Sequence, residues 1–328
     1  MNTKSLLQLF TLTTAATLCA GAWAQGSAAS YPSKPVNVVI PYAAGGPADV
    51  ETRLYTGKLS SMMGQSFVID YKPGAGTALG SGYVAKAAPD GYTLLVVTGS
   101  LTVFPALFKD LNFDTVKDFA PVSLMSERTS VLLATPSFAP KTFPEYLAYA
   151  RANPGKINVG TAGAGSITHL AGAWMHGATN TKVTFVLYKG TGPIMPDLMA
   201  GRIDVTAAGL LASLPAIQAG KVRALALMGL NRSKLLPDAK TIAEDGIPGY
   251  NYSSWLGFSA TGGTPAPIVN KLSETLAKVA RLPDVAGPLE AQGGTMIGST
   301  PAQLQQLILT EITRWNKVVA DSNIKLEE

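Results

Sequence analysis

Val36–Asp49 reads VNVVIPYAAGGPAD: a strand-length apolar run, a sharp turn through Gly45 and Gly46, and Asp49 placed to cap a helix. The arrangement recurs at once. Phe67–Tyr71 is a second strand-like run, and Pro73–Gly80, PGAGTALG, turns from it into a second helix. Glycine lets a backbone approach a ligand closely, and the first turn of a helix leaves N–H groups without partners. Two such turns in succession predict a pocket for a carboxylate or phosphate, made largely of backbone donors. An ordinary tight βα turn uses the same residues, so either turn alone leaves the question open.

Working outward, strands and helices alternate. Val36–Tyr42, Phe67–Tyr71 and Tyr92–Val97 read as strands, with helices over Ala48–Met63 and Thr77–Ala88. A second set follows, with strands at Val131–Thr135, Ile157–Gly160, Val183–Leu187, Ile203–Ala207 and Val222–Met228. Helices lie between them, and Gly201 and Gly220 mark two helix ends that pass straight into strands. This alternation predicts an α/β fold with parallel sheets covered on both faces. After the strand-like run Trp255–Ala260, the tail is almost entirely helical, over Pro267–Arg281, Asp284–Gln292 and Pro301–Ser322. Helices without a sheet of their own must pack on one already made. The tail is therefore expected to return to the first domain, which becomes discontinuous: residues 25–125 plus 252–328, with 126–251 as the second domain and a ligand cleft between the two.

The chain has 328 residues, enough for a large core and two domains. Charged residues are 14% and apolar residues 47%, a globular composition. The net charge of +5 is spread thinly, without clusters of Lys and Arg among aromatics, which argues against nucleic acid as a partner. Residues 1–24 read as a cleaved secretory signal. Lys4 leads, Leu6–Leu18 is moderately apolar, and Ala22-Trp23-Ala24 fits the cleavage pattern, so the mature chain is expected to begin at Gln25 in the periplasm. Cys19 is the only cysteine and lies within that signal, which excludes disulfides and thiol chemistry from a chain cut there.

The remaining motifs favour binding over catalysis. Gly74-Ala75-Gly76 with Gly80 has the wrong spacing for a dinucleotide fingerprint, and no Lys-Ser or Lys-Thr completes a phosphate loop. Gly163-Ala164-Gly165-Ser166 opens a third helix with Ser166 at its N-cap, carrying His169 and His176 about two turns apart. No further ligands accompany these two histidines, so packing or a hydrogen bond to a ligand is favoured over a metal. No serine sits in a G-x-S-x-G elbow. Asp49, Asp204 and Glu244 stand in the contexts of caps and strand starts rather than as a catalytic carboxylate pair. No cofactor is called for. Trp174, Trp255 and Trp315 are expected in core or hinge packing.

Five segments, in order, carry a resemblance to a known family: YPSKPVNVVIPYAAGGPADVETR (Tyr31–Arg53), YKPGAGTALGSGYVAKAAPDGYTLL (Tyr71–Leu95), GTAGAGSITHLAG (Gly160–Gly172), YKGTGPIMPDLMAGRIDV (Tyr188–Val205) and AEDGIPGY (Ala243–Tyr250). The mature chain resembles throughout the substrate-binding proteins of tripartite tricarboxylate transporters, the Bug family of extracytoplasmic receptors. The resemblance implies a periplasmic binding protein fold of type II character, two α/β domains closing on a small carboxylate, and membrane permease subunits as partners of a monomeric receptor. It implies a first-domain wall of Tyr42, Ala44, Gly45, Gly46 and Asp49, the loop Gly74, Ala75, Gly76 and Thr77, and Ser100 and Thr102 past the third strand. It implies a second-domain wall of Gly165, Ser166, His169, Tyr188 and Lys189, with Asp204 opening a strand whose far end, Ala208–Leu211, reaches the ligand. PYAAGG stands where PF-x-PGG is commoner, so Ala44 replaces a proline in the pocket. Two other departures, SATGGTP at Ser259–Pro265 and Lys240 in place of a proline, lie towards the hinge. A secreted α/β enzyme on a related scaffold and a ligand sensor for a signalling partner are the alternative readings. A nucleophile–base pair or metal would favour the first, and the identity of the protein partner would decide the second.

Overall fold

The computed structural model describes residues 30–42, 44–108, 110–188, 191–291 and 294–322. The signal segment, Cys19, the expected start at Gln25 and Lys189 lie outside the described residues. Strand β1 (Val36–Ile40) is apolar on both faces. Val36, Val38 and Ile40 enter one core cluster and Val39 another, all fully buried. A strand covered on both sides suits the interior of a parallel sheet. β1 pairs in parallel with β2 (Phe67–Tyr71) and β3 (Thr93–Thr98). Helix α1 (Pro47–Met63) links β1 to β2 and ends at Gly64, whose left-handed backbone (φ 72°) turns its N–H onto Ser60 O at 3.1 Å. A 3₁₀ turn (Ala75–Thr77) and helix α2 (Ala78–Ala85) link β2 to β3. Helix α3 (Ser100–Leu107) follows β3 directly. The sequence hides α3 because it is short, rich in Thr, Val and Phe, and carries Pro105.

Strand β4 (Phe119–Ala134) joins the two halves of the molecule. Along Phe119–Thr129 it pairs with β9 (Ser253–Thr261), which is antiparallel to both β4 and β3. Beyond Thr129 it enters a second set of strands, pairing with β7 (Val205–Gly209) along Ser130–Ala134 and with β8 (Arg223–Leu227) along Val131–Ala134. The sequence reading found only the end of this strand, Val131–Thr135. The polar stretch Ser126–Ser130 breaks the apolar run and disguises its continuity.

Between these strands come helix α4 (Phe143–Ala152), β5 (Asn158–Thr161), helix α5 (Ile167–Ala178), β6 (Thr184–Leu187), helix α6 (Ile194–Met199) and helix α7 (Leu210–Gln218). β5 is parallel to both β6 and β7. The principal strand order is β2-β1-β3-β9-β4-β7-β5-β6. Gly201 (φ 71°) and Gly220 (φ 65°) adopt the left-handed conformation expected at helix ends.

The tail comprises α8 (Ala266–Val279), α9 (Pro283–Ala291), β10 (Gly294–Met296) and α10 (Pro301–Ser322). β10 adds a short strand to β4 at Ser126–Arg128. Ile268, Leu272 and Leu276 of α8 pack with Val36, Val38 and Tyr55. Leu304 and Ile308 of α10 pack with Val39, Leu95 and Val97. Further along, Trp315 and Val318 leave that sheet and pack with Val103 of α3 and with Leu170 and Ala173 of α5. The last helix thus begins on one half of the molecule and ends against the other. Trp255 and Trp315 are buried, and Trp174 stacks on Tyr250 with centroids 4.4 Å apart. Among the described residues, no helix is long and apolar enough to cross a membrane.

Candidate functional site

Two adjoining cavities open where the loops after β1 and β2 face the start of α5. The first encloses about 490 Å³. Its walls are Pro41 and Tyr42 after β1, Pro73, Gly74, Gly76 and Thr77 after β2, the α3 residues Ser100, Val103, Phe104 and Leu107 with Phe108 beyond, and Ala164–Ile167 at the start of α5. The second encloses about 500 Å³ and lies over Gly46, Ala48 and Glu51 of α1, Ser126 and Arg128 of β4, and Tyr252–Leu256 leading into β9. Thr98, Gly99 and Thr191 complete its lining, and it shares Tyr42, Ser100 and Ile167 with the first.

Local chemistry sets these walls. The β2–α2 loop holds Ala75 (φ 47°), Gly76 (φ 60°) and Thr77 (φ 87°) in the left-handed region, an unusual run for residues that carry a Cβ. This turn exposes backbone to the cavity and delays α2 to Ala78, one residue past the expected start. Ser166 caps α5 as expected, accepting the His169 N–H at 3.2 Å. The Tyr42 hydroxyl lies 2.6 Å from Thr98 Oγ1 and 3.3 Å from Ser100 Oγ, which holds its ring at the junction of the cavities.

Of the residues expected at a ligand, Tyr42, Gly74, Gly76, Thr77, Ser100, Gly165 and Ser166 line the first cavity, and Gly46 lines the second with Tyr42 and Ser100. The others sit elsewhere for identifiable reasons. Asp49 is not the N-cap of α1; Gly46 holds that position. The Asp49 carboxylate instead accepts the Gly45 N–H at 2.7 Å and the Tyr71 hydroxyl at 2.6 Å, and pairs with Arg53 at 2.9 Å. Burial alone would raise its pKa, but the Tyr71, Gly45 and Arg53 contacts outweigh that and hold it below the usual carboxylate range. Gly45 therefore spends its N–H inside the turn, and neither it nor Ala44 or Ala75 lines a cavity.

Thr102 is fully buried, its hydroxyl 2.7 Å from Gly99 O and 3.0 Å from Glu311 Oε2. Glu311 also accepts from Trp255 Nε1 at 3.1 Å, and burial raises its carboxyl above the ordinary range. His169 accepts the Gly165 N–H on Nδ1 at 3.2 Å and rests edge-on against Phe185, behind the wall rather than in it. Burial lowers its pKa, in keeping with a ring nitrogen that accepts. The Tyr188 hydroxyl donates to Asp197 at 2.8 Å. Asp204 accepts the Asn158 N–H at 2.7 Å, tying β7 to β5. His176 lies deeper, with Tyr146 OH 3.0 Å from Nε2 and Thr181 Oγ1 2.7 Å from Nδ1, and burial takes its pKa down to about 4. Among the described residues, no group of three His, Cys, Asp or Glu is placed to hold a metal ion.

Glu51, Ser126, Arg128 and the Tyr252–Leu256 segment were not foreseen. The signal available was the charged Ser126-Glu127-Arg128 triplet interrupting an apolar run. Its partner, Glu51, sits far away in sequence on α1.

Against this geometry, residues 52–324 match the model of the tripartite tricarboxylate transporter family receptor. The chain belongs to this family. Protein BugT of Bordetella pertussis is 32% identical over 310 residues, spanning 94% of the chain and 95% of BugT. Two solved receptors superpose well. Rpa4515 of R. palustris, determined with adipate, is 33% identical with a TM-score of 0.76, covering 90% of this chain and all of that one. MatC (Rpa3494) of Rhodopseudomonas palustris, with bound malate, is 35% identical with a TM-score of 0.73, covering 88% of this chain and all of that one. The Bug-family receptor expected from the five segments, with the α/β fold of a periplasmic solute-binding protein, is the outcome.

Proposed function

We propose that this receptor captures a small carboxylate in the cleft formed by the two cavities and presents it to the permease subunits of a tripartite transporter. The observation that carries the reading is the facing of glycine-rich loops across one cavity. Gly74–Thr77 stands on one side and Ala164–Ser166, at the start of α5, on the other. Backbone donors and a helix start suit an anion without requiring a counter-charge. The adipate and malate held by the two solved relatives support a carboxylate as the ligand class. On this reading Tyr42, Gly46, Gly74, Gly76, Thr77, Ser100, Gly165 and Ser166 form the site. The chain acts in the periplasm as a monomer without catalysis, after cleavage behind Ala24. Residues 25–125 with 252–328 form one lobe and 126–251 the other. Ligand that touches both lobes only in the shut cleft favours closure by shifting the population. A thermal-shift screen over small mono-, di- and tricarboxylates tests it, because a ligand bound only by the native state raises the melting temperature. A folded protein that no acid stabilises would overturn the reading.

A further inference from the structure

The second cavity holds a charged pair that the carboxylate-binding reading does not use. Glu51 is almost fully buried, and both of its carboxylate oxygens are engaged. Its Oε1 receives the hydroxyls of Tyr55 and Ser126, and its Oε2 pairs with Arg128 Nη2 at 2.5 Å. Arg128 is different. Its side chain stays 26% exposed and lines the cavity, and its buried Nε–H has no acceptor among the described residues. A guanidinium carries five N–H donors in a fixed fork, and one carboxylate oxygen satisfies only part of that fork. The Arg128 backbone is pinned on both edges, opposite Ser254 of β9 and Gly294 of β10. The cavity lining contains no other carboxylate, and Ser253, Ser254 and Thr191 add hydroxyls around it.

We propose that Arg128 is a second anion subsite, which selects acids carrying a further carboxylate at the far end of the molecule. The inference rests on the carboxylate-receptor reading. One carboxylate sits among the glycine loops of the first cavity, and the chain runs past Tyr42 and Ser100, common to both cavities. Val103, Phe104 and Leu107 offer apolar surface to its methylenes. The ω-carboxylate then takes the free edge of the Arg128 fork, a charge-assisted contact of the stronger kind. A ligand amine is disfavoured at this end, because both oxygens of the one carboxylate in the lining are already engaged and the Arg128 cation stands beside it. Glu51 is the positioning residue: it fixes the guanidinium from behind without itself touching ligand.

Calorimetry decides this, with dicarboxylates from succinate to suberate, each matched to the straight-chain monocarboxylate of equal length. At least one dicarboxylate is expected to bind wild-type protein at least about tenfold more tightly than its monocarboxylate. In Arg128→Gln that preference should collapse, while the monocarboxylate keeps its wild-type affinity. Should Arg128→Gln misfold around an unpaired Glu51, the double variant Glu51→Gln/Arg128→Gln removes both charges and reads the same ratio. Equal binding of the two acids by wild type, or a preference that survives loss of Arg128, overturns the subsite and leaves the carboxylate receptor standing. If neither acid binds folded wild-type protein, the receptor reading falls, and the subsite with it.

Discussion

The first cavity is walled by glycine backbone and the side chains of Val103, Phe104 and Leu107; the second is walled by the Glu51–Arg128 pair and a set of hydroxyls. A wall of backbone donors recognises charge by geometry and carries no compensating ion into the interior. A wall built on an ion pair has to bury that pair first, and each partner then depends on the other. The two walls should therefore fail differently. Damage to the first should remove binding and spare the fold, while damage to the second should reach the fold itself.

The largest expected effect tests the second wall. Glu51→Ala leaves Arg128 without its counter-charge and should cost about 3 kcal/mol of stability, the lower end for a broken buried pair because Arg128 keeps part of its side chain exposed. Urea denaturation reads it, and Glu51→Leu/Arg128→Met should recover most of the loss. An unchanged midpoint in Glu51→Ala would show that the pair bears no weight.

Next in size is the charge of the ligand at the first wall. Replacing the anchoring carboxylate by its amide should weaken binding roughly ten- to a hundredfold, about 1.5–3 kcal/mol, because buried donors lose a charged acceptor. Calorimetry with a matched acid and amide measures it, and equal affinities would point to a neutral solute.

The two neighbouring glycines of the first turn sharpen the comparison further. Gly46 has an ordinary extended backbone (φ −78°) and lines the cleft. Gly46→Val should therefore lower affinity at least about tenfold and cost the start of α1 no more than about 1 kcal/mol. Gly45 sits at φ 84° off the cavity wall, with open space where a Cβ would project. Gly45→Ala should cost about 1–2 kcal/mol of stability through backbone strain and leave affinity nearly intact. Melting temperature scored beside affinity separates them, and the reverse pattern would reassign which glycine meets the ligand.

The smallest effect is at the α5 start. Ser166→Ala removes the cap on the His169 N–H and should cost about 1 kcal/mol. Thermal melting detects it, and no change would mean that the cap is replaced by solvent.

The same contrast explains what the sequence made legible. Glycines such as Gly74, Gly76 and Gly165 announce themselves, because a turn that needs φ > 0 strongly favours that residue, and the loops of the first cavity could be read directly. The alternation of strand and helix was equally open, since each element buries a face or a stripe that its own residues reveal. Asp49, Thr102, His169, Tyr188 and Asp204 carry polar groups near those loops, but each group is spent on holding a loop, a helix or a strand in place. Proximity in sequence to a glycine turn does not tell which side of the wall a polar group faces. The second cavity was illegible for a different reason. Glu51, Arg128 and Ser254 are joined only by the register of β4 against β9 and the packing of α1, and no local pattern records those.

The placement of β9 has a consequence for how the chain acquires its structure. This strand lies between β3 and β4, yet it is made after the whole of the second strand set. The early strands cannot close their sheet on the ribosome until Ser253–Thr261 has emerged, and the α10 helix that spans both halves comes later still. Pairings between such distant stretches pay their loop-closure entropy before any contact rewards it, so this closure should be a late step of folding. A nascent chain of this topology keeps the β3 edge unpaired until Ser253–Thr261 exists, and that edge is open to any machinery that handles extended polypeptide.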